Sequence, residues 1–178
     1  MMTESDAAPG IGAAQFKGLM RHVAGAVTVV TCGRPGGRRG LTATAVCSLS
    51  DSPPTVLACV NRKSAAHDLI VSERAFVVNV LAANQRDIAV RFSGQSGLRG
   101  EDRFAESHWG SLSTGAPVLD GALAAFDCEL IEHKEVATHT IFIARVVSGC
   151  STSYAQSLIY LKGAYHTLPA EPLSGAAS

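Results

Sequence analysis

The spacing of apolar and polar residues predicts a few short helices among a larger number of β-strands. Apolar residues recur at helical spacing across residues 13–22, which predicts a short amphipathic helix. A second helix is predicted from Ser64, as its N-cap, to about residue 72. A third is predicted over residues 84–92 and ends at Gly94.

Seven segments read as strands, and they outnumber the helices. The run over 123–132 alternates apolar and charged residues, which is typical of a half-exposed antiparallel strand. The run over 140–147 is apolar on both faces, so it is either central in the domain or covered by a second subunit. The strands lie close together in sequence, which predicts a mainly β fold, a small closed or split antiparallel barrel. The predicted strands cover residues 26–31, 41–50, 55–61, 75–81, 123–132, 139–148 and 158–165.

Length and charge limit the class of protein. The 178 residues suit one domain, predicted over 13–168 between loose tails at 1–12 and 169–178. Fifteen basic and 15 acidic residues give a net charge of zero, which argues against a nucleic-acid partner. No apolar stretch is long enough to cross a membrane, and the first residues do not resemble a secretory signal. The five scattered cysteines favour buried thiols in a reducing cytoplasm.

The usual catalytic and metal-binding motifs are missing. There is no GxSxG, P-loop, HExxH or CxxC, and no pair of histidines has ligand spacing, so no metal site is predicted. The glycine-rich residues 33–40 do not fit GxGxxG and precede a strand rather than a helix. A nicotinamide would therefore not bind here in the Rossmann manner.

Two neighbouring segments differ from ordinary core sequence. Residues 42–50 are rich in small and hydroxylated side chains, so a flat ring could lie close to their backbone. Residues 60–64 place two cations and a capping hydroxyl where a strand gives way to a helix, which suits a phosphate. Taken alone, the first segment is more typical of an ordinary strand and the second of a solvated helix cap. Together they would form a ring slot beside a phosphate site.

The chain resembles the flavin reductase-like family, which has the FMN-binding split-barrel fold. It is most similar to the small reductase components of two-component monooxygenases of the 4-hydroxyphenylacetate 3-monooxygenase type. The likeness covers roughly residues 14–168. The segment LTATAVCSLSDSPPTVLACVN carries most of it, and the full set of matching segments is 41–61, 76–81, 91–94, 101–104, 116–119, 138–143 and 158–166.

The resemblance implies a homodimer with flavin bound near the subunit interface. Residues of one strand would line the isoalloxazine edge, namely Thr42, Ala43, Thr44, Ala45 and Val46. The ribityl and phosphate groups would contact Ser48, Asn61, Lys63 and Ser64. The far end of the flavin would contact Arg91 and Phe92, and Tyr165 would border the same pocket.

His139 matches the family histidine that lies near the nicotinamide, and it is the one catalytic residue that the resemblance implies. It would either orient the nicotinamide or supply a proton. In this chain the preceding residue is Thr138, where the family often has Asp.

The implied activity is NAD(P)H:flavin oxidoreductase, with FAD favoured over FMN and NADH over NADPH. The reduced flavin would diffuse to a partner flavin-dependent monooxygenase. Two alternatives stay open: an enzyme of the same fold that keeps its flavin and acts on a small substrate, and a non-enzymatic module that binds flavin or haem. Hydride transfer needs no protein acid or base, which agrees with the missing catalytic motifs.

Overall fold

The computed structural model describes residues 10–152 and 155–169, and β-strands dominate them. Within these ranges no helix is long and apolar enough to cross a membrane. The helices are α1 Ala13–Met20, α2 His67–Glu73 and α3 Arg86–Phe92, with single 3-10 turns at Ala83–Gln85 and Gly100–Phe104. The strands are β1 Gly25–Ala26, β2 Thr28–Cys32, β3 Arg39–Ala43, β4 Val46–Asp51, β5 Pro54–Asn61, β6 Ala75–Val80, β7 Trp109–Ser111, β8 Pro117–Leu119, β9 Ala124–Val136, β10 His139–Ser151, β11 Ser157–Leu161 and β12 Ala164–Leu168.

Seven strands form one antiparallel sheet in the order β3-β2-β6-β9-β10-β5-β4. Strand β2 is buried along its whole length, as expected for the run TVVTC, rich in β-branched residues, in a strand that pairs on both sides, with β3 and β6. The chain crosses directly from β3 at one edge to β4 at the other, and the Cys59 amide donates to the Ala45 carbonyl at 2.9 Å. These features confirm the predicted mainly β class and agree with a split barrel.

Two smaller sheets accompany the seven-stranded sheet. Strand β1 pairs with the hairpin of β11 and β12, and β7 pairs with β8. One core cluster fills the barrel around Phe76 and Phe142, and a second lies under α3 around Phe92 and Phe104. The second cluster joins the helix to the barrel wall, which places α3 beside β3.

Two predicted strands are each a pair of strands. The single strand predicted over 41–50 was wrong, because β3 pairs with β2 whereas β4 pairs with β5, and Thr44 and Ala45 lie between them. The strand predicted over 158–165 is the hairpin of β11 and β12. Its two-residue turn holds Lys162 and Gly163 at positive φ (52° and 83°), the conformation that tight hairpins favour. These splits and three short strands raise the strand number within the described residues to twelve, against the predicted seven.

The predicted helices are present with shifted ends. Helix α2 begins at His67 rather than directly after Ser64, and the Ser64 hydroxyl accepts the Ala66 amide at 3.3 Å. The predicted tails at 1–12 and 169–178 lie mostly outside the described residues. Gly10 to Gly12 and Pro169, which are described, are neither helix nor strand.

Candidate functional site

A groove runs along β3 and consists of three adjoining pockets. The middle one, here called the central pocket, has a volume of about 460 Å³. It adjoins a pocket of about 600 Å³, the arginine pocket, through Thr42 and Ser93. At its other side Thr44, Tyr160 and Gly163 also border a pocket of about 520 Å³ beside α1, the α1 pocket.

Small and polar residues form the wall of the central pocket. Thr42, Ala43 and Thr44 supply one side, and the β11–β12 hairpin supplies the other through Tyr160 and Tyr165. The Thr42 hydroxyl is not free, because it donates to the Ala89 carbonyl at 2.6 Å and so ties β3 to α3. The side offered to a ligand by β3 is therefore mainly backbone and small side chains.

Close contact between β3 and α3 fixes the back of the groove. A Cβ on Gly40 would lie 2.8 Å from Cε1 of Phe92, so the ring packs directly on the strand backbone. Phe92 is 1 % exposed and stacks on Phe104 and Trp109, with ring centroids at 5.0 and 5.7 Å. This packing makes the groove wall rigid.

The arginine pocket carries four cations, Arg39, Lys63, Arg99 and Arg103, and no carboxylate among its described lining residues. The Arg103 guanidinium is held by the carbonyls of Leu98 and Gly40, at 2.9 and 3.3 Å. The described lining of the pocket is therefore electropositive, which is what an anion such as phosphate requires.

The nearest acidic side chain does not neutralise this pocket. Glu101 is paired with Arg38, whose Nε donates to Oε1 at 2.6 Å. Desolvation alone would raise the pKa of Glu101, but hydrogen bonds from the Arg38 side chain and backbone outweigh it and lower that pKa. The Arg38–Glu101 pair is thus internally satisfied.

The turn after β5 is shaped by hydrogen bonds of its own polar side chains. Asn61 Oδ1 accepts the amide of Lys63 at 2.9 Å, and Ser64 Oγ accepts the amide of Ala66. These side-chain acceptors hold the turn in shape. Asn61, Lys63 and Ser64 all line the arginine pocket as a result.

Eight of the thirteen residues predicted from the sequence lie on the central or arginine pocket. They are Thr42, Ala43, Thr44, Asn61, Lys63, Ser64, Phe92 and Tyr165. Tyr165 packs under the Arg86 guanidinium, 5.6 Å from the ring centroid, and burial raises its pKa.

The other five predicted residues lie elsewhere in this chain. Ala45 borders the α1 pocket, and Val46 and Ser48 line a separate, mostly apolar cavity of about 450 Å³ on β4. The Arg91 guanidinium binds the Ala105 carbonyl and pairs with Glu106 at 3.0 Å, so it holds the following loop on α3.

His139 is the fifth of these and is exposed at the start of β10. It lies directly opposite Asn61 in the sheet register. Its Nδ1 shares a hydrogen bond of 2.9 Å with the Thr138 hydroxyl, which orients the ring. The threonine thus takes the orienting position that the family often gives to Asp.

The sequence reasoning missed most of the cations of the arginine pocket. Arg39, Arg99 and Arg103 come from two distant segments, and only the fold brings them together. In the sequence Arg39 lies in the glycine-rich stretch 33–40, and Arg103 lies within the matching segment 101–104. Among the described residues, no group of three or more His, Cys, Asp or Glu side chains could hold a metal ion.

The fold is consistent with a split barrel. Its groove has room for a nucleotide and carries four cations in the arginine pocket at one end. A family model described as a flavin reductase like domain matches residues 20–169, and the chain belongs to this family. An FMN reductase (NADH), RutF 2, of Methylorubrum extorquens strain PA1 is 43 % identical over 159 residues, covering 89 % of this chain and 91 % of that relative.

Two solved structures are similar over nearly the whole chain. BorF, the flavin reductase component of a bacterial two-component tryptophan halogenase, is 31 % identical with a TM-score of 0.83, covering 90 % of this chain and 100 % of its own. The NADH:FAD oxidoreductase SgcE6 of Streptomyces globisporus C-1027 is 28 % identical with a TM-score of 0.81, covering 97 % and 98 %.

Proposed function

We propose that this protein is an NAD(P)H:flavin oxidoreductase that reduces FAD or FMN with NADH and releases the reduced flavin to a partner flavin-dependent monooxygenase. The observation that carries the proposal is the groove, in which a ring-sized central pocket adjoins four cations without a carboxylate among the described lining residues. Family membership and relatives that are NADH-dependent flavin reductases support the same activity.

The residues of the groove fit a flavin nucleotide. The small residues Thr42, Ala43 and Thr44 would take the isoalloxazine edge, and Phe92 supports the strand behind them. Lys63 and Ser64 would bind the phosphate together with the arginines of the same pocket. Tyr165 would border the ring.

Five of the predicted residues do not line the central or the arginine pocket, so for them the proposal rests mainly on the family resemblance. Ala45 would contact the isoalloxazine edge next to Thr44. Val46, Ser48 and Arg91 would contact the flavin in the assembled dimer. His139 is proposed to orient the nicotinamide rather than to donate a proton. Its support is the position opposite Asn61, a lining residue of the groove, and the ring orientation set by Thr138.

The reaction asks little acid or base chemistry of the protein. A bound flavin accepts a hydride from the reduced nicotinamide, which is chemistry that the two substrates carry themselves. The protein contributes position: β3 and α3 are locked together by the Thr42–Ala89 hydrogen bond and the Gly40–Phe92 contact. A rigid wall of this kind holds two rings at reacting distance.

Release of the flavin is supported by the openness of the site. Thr44, Lys63, Ser93, Gln95 and Gly163 are exposed although they line the groove. A flavin held there would not be enclosed by this chain alone. BorF, a component of a two-component halogenase, supports delivery to a separate partner.

The proposal includes a homodimer formed through one face of the sheet, here called the outer sheet face. Leu57, Cys59, Ile141 and Ile143 are only half-buried on this face. Neighbouring β9 exposes Ile131 and Val136, at 52 % and 48 %. Lys134 and Glu132 of β9 lie opposite Ile141 and Ile143 on the same face, so the apolar side chains of β5 and β10 form a patch with charged neighbours, a composition that suits a subunit interface.

A cytoplasmic location is also part of the proposal. The proposed substrate NADH is available there, and the reducing environment would keep the five cysteines as thiols.

Steady-state oxidation of NADH and NADPH with FAD, FMN and riboflavin tests the activity. We expect turnover with NADH, and a lower KM for FAD or FMN than for riboflavin because only the first two carry phosphate for the arginine pocket. Release is tested by separating the protein from an oxygenase with a membrane that flavins cross. No oxidation of either nicotinamide with any flavin would refute the activity, and product formation only on contact would refute diffusion.

A further inference from the structure

We propose that His67 is a positioning residue of the reaction, which fixes His139 through a buried hydrogen bond to the neighbouring residue Thr140. This inference rests on the proposed function, in which His139 orients the nicotinamide. His67 Nε2 lies 2.8 Å from Thr140 Oγ1, and the two residues are 7 % and 0 % exposed. Neither of them lines the central, arginine or α1 pocket, so both would act through other residues.

His139 belongs to an exposed hairpin tip, the name used here for residues 131–139. Every residue of this tip is exposed, and Thr140 is the first buried residue of β10. The Arg62 amide donates to a carbonyl of the tip at 3.0 Å, and its guanidinium pairs with Glu135. That ion pair is about half exposed, and such pairs stabilise little. Because exposed hairpin ends open readily, a buried side-chain contact at Thr140 lies where the tip needs to be held.

The His67 ring is held at both of its nitrogen atoms. Asp68 Oδ1 lies 2.7 Å from Nδ1, and because a carboxylate oxygen only accepts, Nδ1 donates to it. In the neutral ring Nε2 then accepts the hydrogen of the Thr140 hydroxyl. The ring also packs near Phe142, with ring centroids 5.6 Å apart. These contacts fix the direction and the length of the hydrogen bond to β10, which apolar packing alone would not do.

The hydrogen bond reaches His139 through the backbone of the strand. Successive strand residues point to opposite faces, so Thr140 points to the buried side and His139 to the exposed side. On β5, Asn61 lies opposite His139 and lines the arginine pocket. The His67 amide also donates to the Ser64 carbonyl at 3.0 Å. His67 therefore joins the turn beside the arginine pocket to the strand that carries His139.

Variants of nearly the same shape test the inference. Thr140→Val removes the hydroxyl, and His67→Phe removes both ring nitrogens but keeps an aromatic ring beside Phe142. Each single change leaves one buried polar partner unpaired and should lower Tm, whereas His67→Phe/Thr140→Val replaces both partners by apolar groups and should restore most of the loss. His67→Gln is the conservative variant, because its amide can still form a hydrogen bond with Thr140.

The kinetics of these variants separate positioning from stability. Both single variants and the double variant should lower kcat/KM for NADH about tenfold, mainly by raising KM, because a small displacement of His139 misplaces the nicotinamide. The flavin Kd, measured by fluorescence titration, should stay nearly constant. The double variant should keep the kinetic loss although its Tm is close to that of wild type, and His67→Gln should recover most of the activity. In the His139→Ala background, Thr140→Val should have no further effect on NADH.

Thr31→Val is the matched control for loss of a buried hydroxyl. Thr31 is also 0 % exposed, its hydroxyl donates to the Pro117 carbonyl at 2.5 Å, and it lines none of the three pockets. Strands β6 and β9 separate its strand from β10. This variant should therefore lower Tm without changing the KM for NADH.

Hydrogen exchange of the amides of the hairpin tip adds a readout that needs no turnover. His67→Phe and Thr140→Val should speed exchange over residues 131–139, whereas Thr31→Val should not. The inference is overturned if the single variants keep wild-type NADH kinetics, or if the double variant recovers kinetics together with Tm. A loss that persists in the His139→Ala background, or an equal loss in Thr31→Val, overturns it as well. Failure of the proposed function looks different, because the wild-type protein would then oxidise no nicotinamide, while hydrogen exchange would still decide whether His67 holds the tip.

Discussion

Replacing Gly40 by alanine should disturb the contact on which the groove wall depends. The added Cβ would lie 2.8 and 3.0 Å from two atoms of the Phe92 ring and 3.0 Å from the Val30 carbonyl oxygen. Phe92 cannot move aside easily, because it is 1 % exposed and packed against Phe104 and Trp109. The strand or the aromatic cluster must therefore shift.

The expected cost follows from the overpacking of a buried site. Inserting a methyl group into a well-packed core costs about 1–3 kcal/mol. For a chain of this size that lowers Tm by roughly 3–10 °C. The same shift moves Gly40 within the arginine pocket, so the flavin KM should rise as well.

Fluorescence of Trp109, the only tryptophan in the chain, reports the change because its ring belongs to the affected cluster. Urea unfolding at equal protein concentration compares wild type, Gly40→Ala and Gly110→Ala. Gly110 is the matched control, since a Cβ there meets no heavy atom within 4 Å. Equal stability of wild type and Gly40→Ala would refute the reasoning about rigid packing.

Three further predictions concern the nicotinamide, the thiols and the dimer. His139→Ala should raise the KM for NADH while the flavin Kd, measured by fluorescence titration, stays nearly constant. Burial raises the pKa of Cys32 and Cys128 to about 12, so in the folded protein both should resist a thiol reagent near pH 8 while the exposed Cys47 reacts. The unfolded chain releases those protons from about pH 9, so the free energy of unfolding should fall as pH rises further. Ile143→Glu should give a monomer in sedimentation, because a second carboxylate would then lie beside Glu132 in place of the apolar side chain that neighbours Leu57 on the outer sheet face.

Each of these three predictions has a result that would contradict it. Unchanged nicotinamide kinetics in His139→Ala would remove that residue from the site. Rapid labelling of all five thiols before unfolding, or stability that rises above pH 9, would contradict the burial of Cys32 and Cys128. A dimer that survives Ile143→Glu would show that another surface joins the subunits. Arg34→Gln, which changes the net charge by the same amount at an exposed position outside β5, β9 and β10, is the control for a mere change of charge.

Local patterns in the sequence predicted the fold better than its connections. The alternation in β9 and the apolar run in β10 identify both strands, since each reflects which faces are buried. The change of partner between β3 and β4 could not be predicted, because no glycine or proline interrupts residues 41–50. Which strand each half pairs with depends on residues far along the chain.

The candidate site follows the same division. Local hydrogen bonds of Asn61 and Ser64 shape the turn that the sequence indicated. Tertiary packing brings Arg39 and Arg99 into the pocket beside that turn. It also places the Arg91 guanidinium where it pairs with Glu106 and holds a loop. A sequence pattern shows which side chains suit a phosphate but not which of them a fold brings together.

The pairing of β1 with β11 has a consequence for biosynthesis. Gly25 lies opposite Tyr160, so the first strand finds its partner only after almost the whole described chain has been made. The β11–β12 hairpin also forms one wall of the central pocket. On the ribosome, therefore, the nascent chain cannot complete its binding groove until the C-terminal hairpin has emerged, and a chain that stops before β11 would lack that wall.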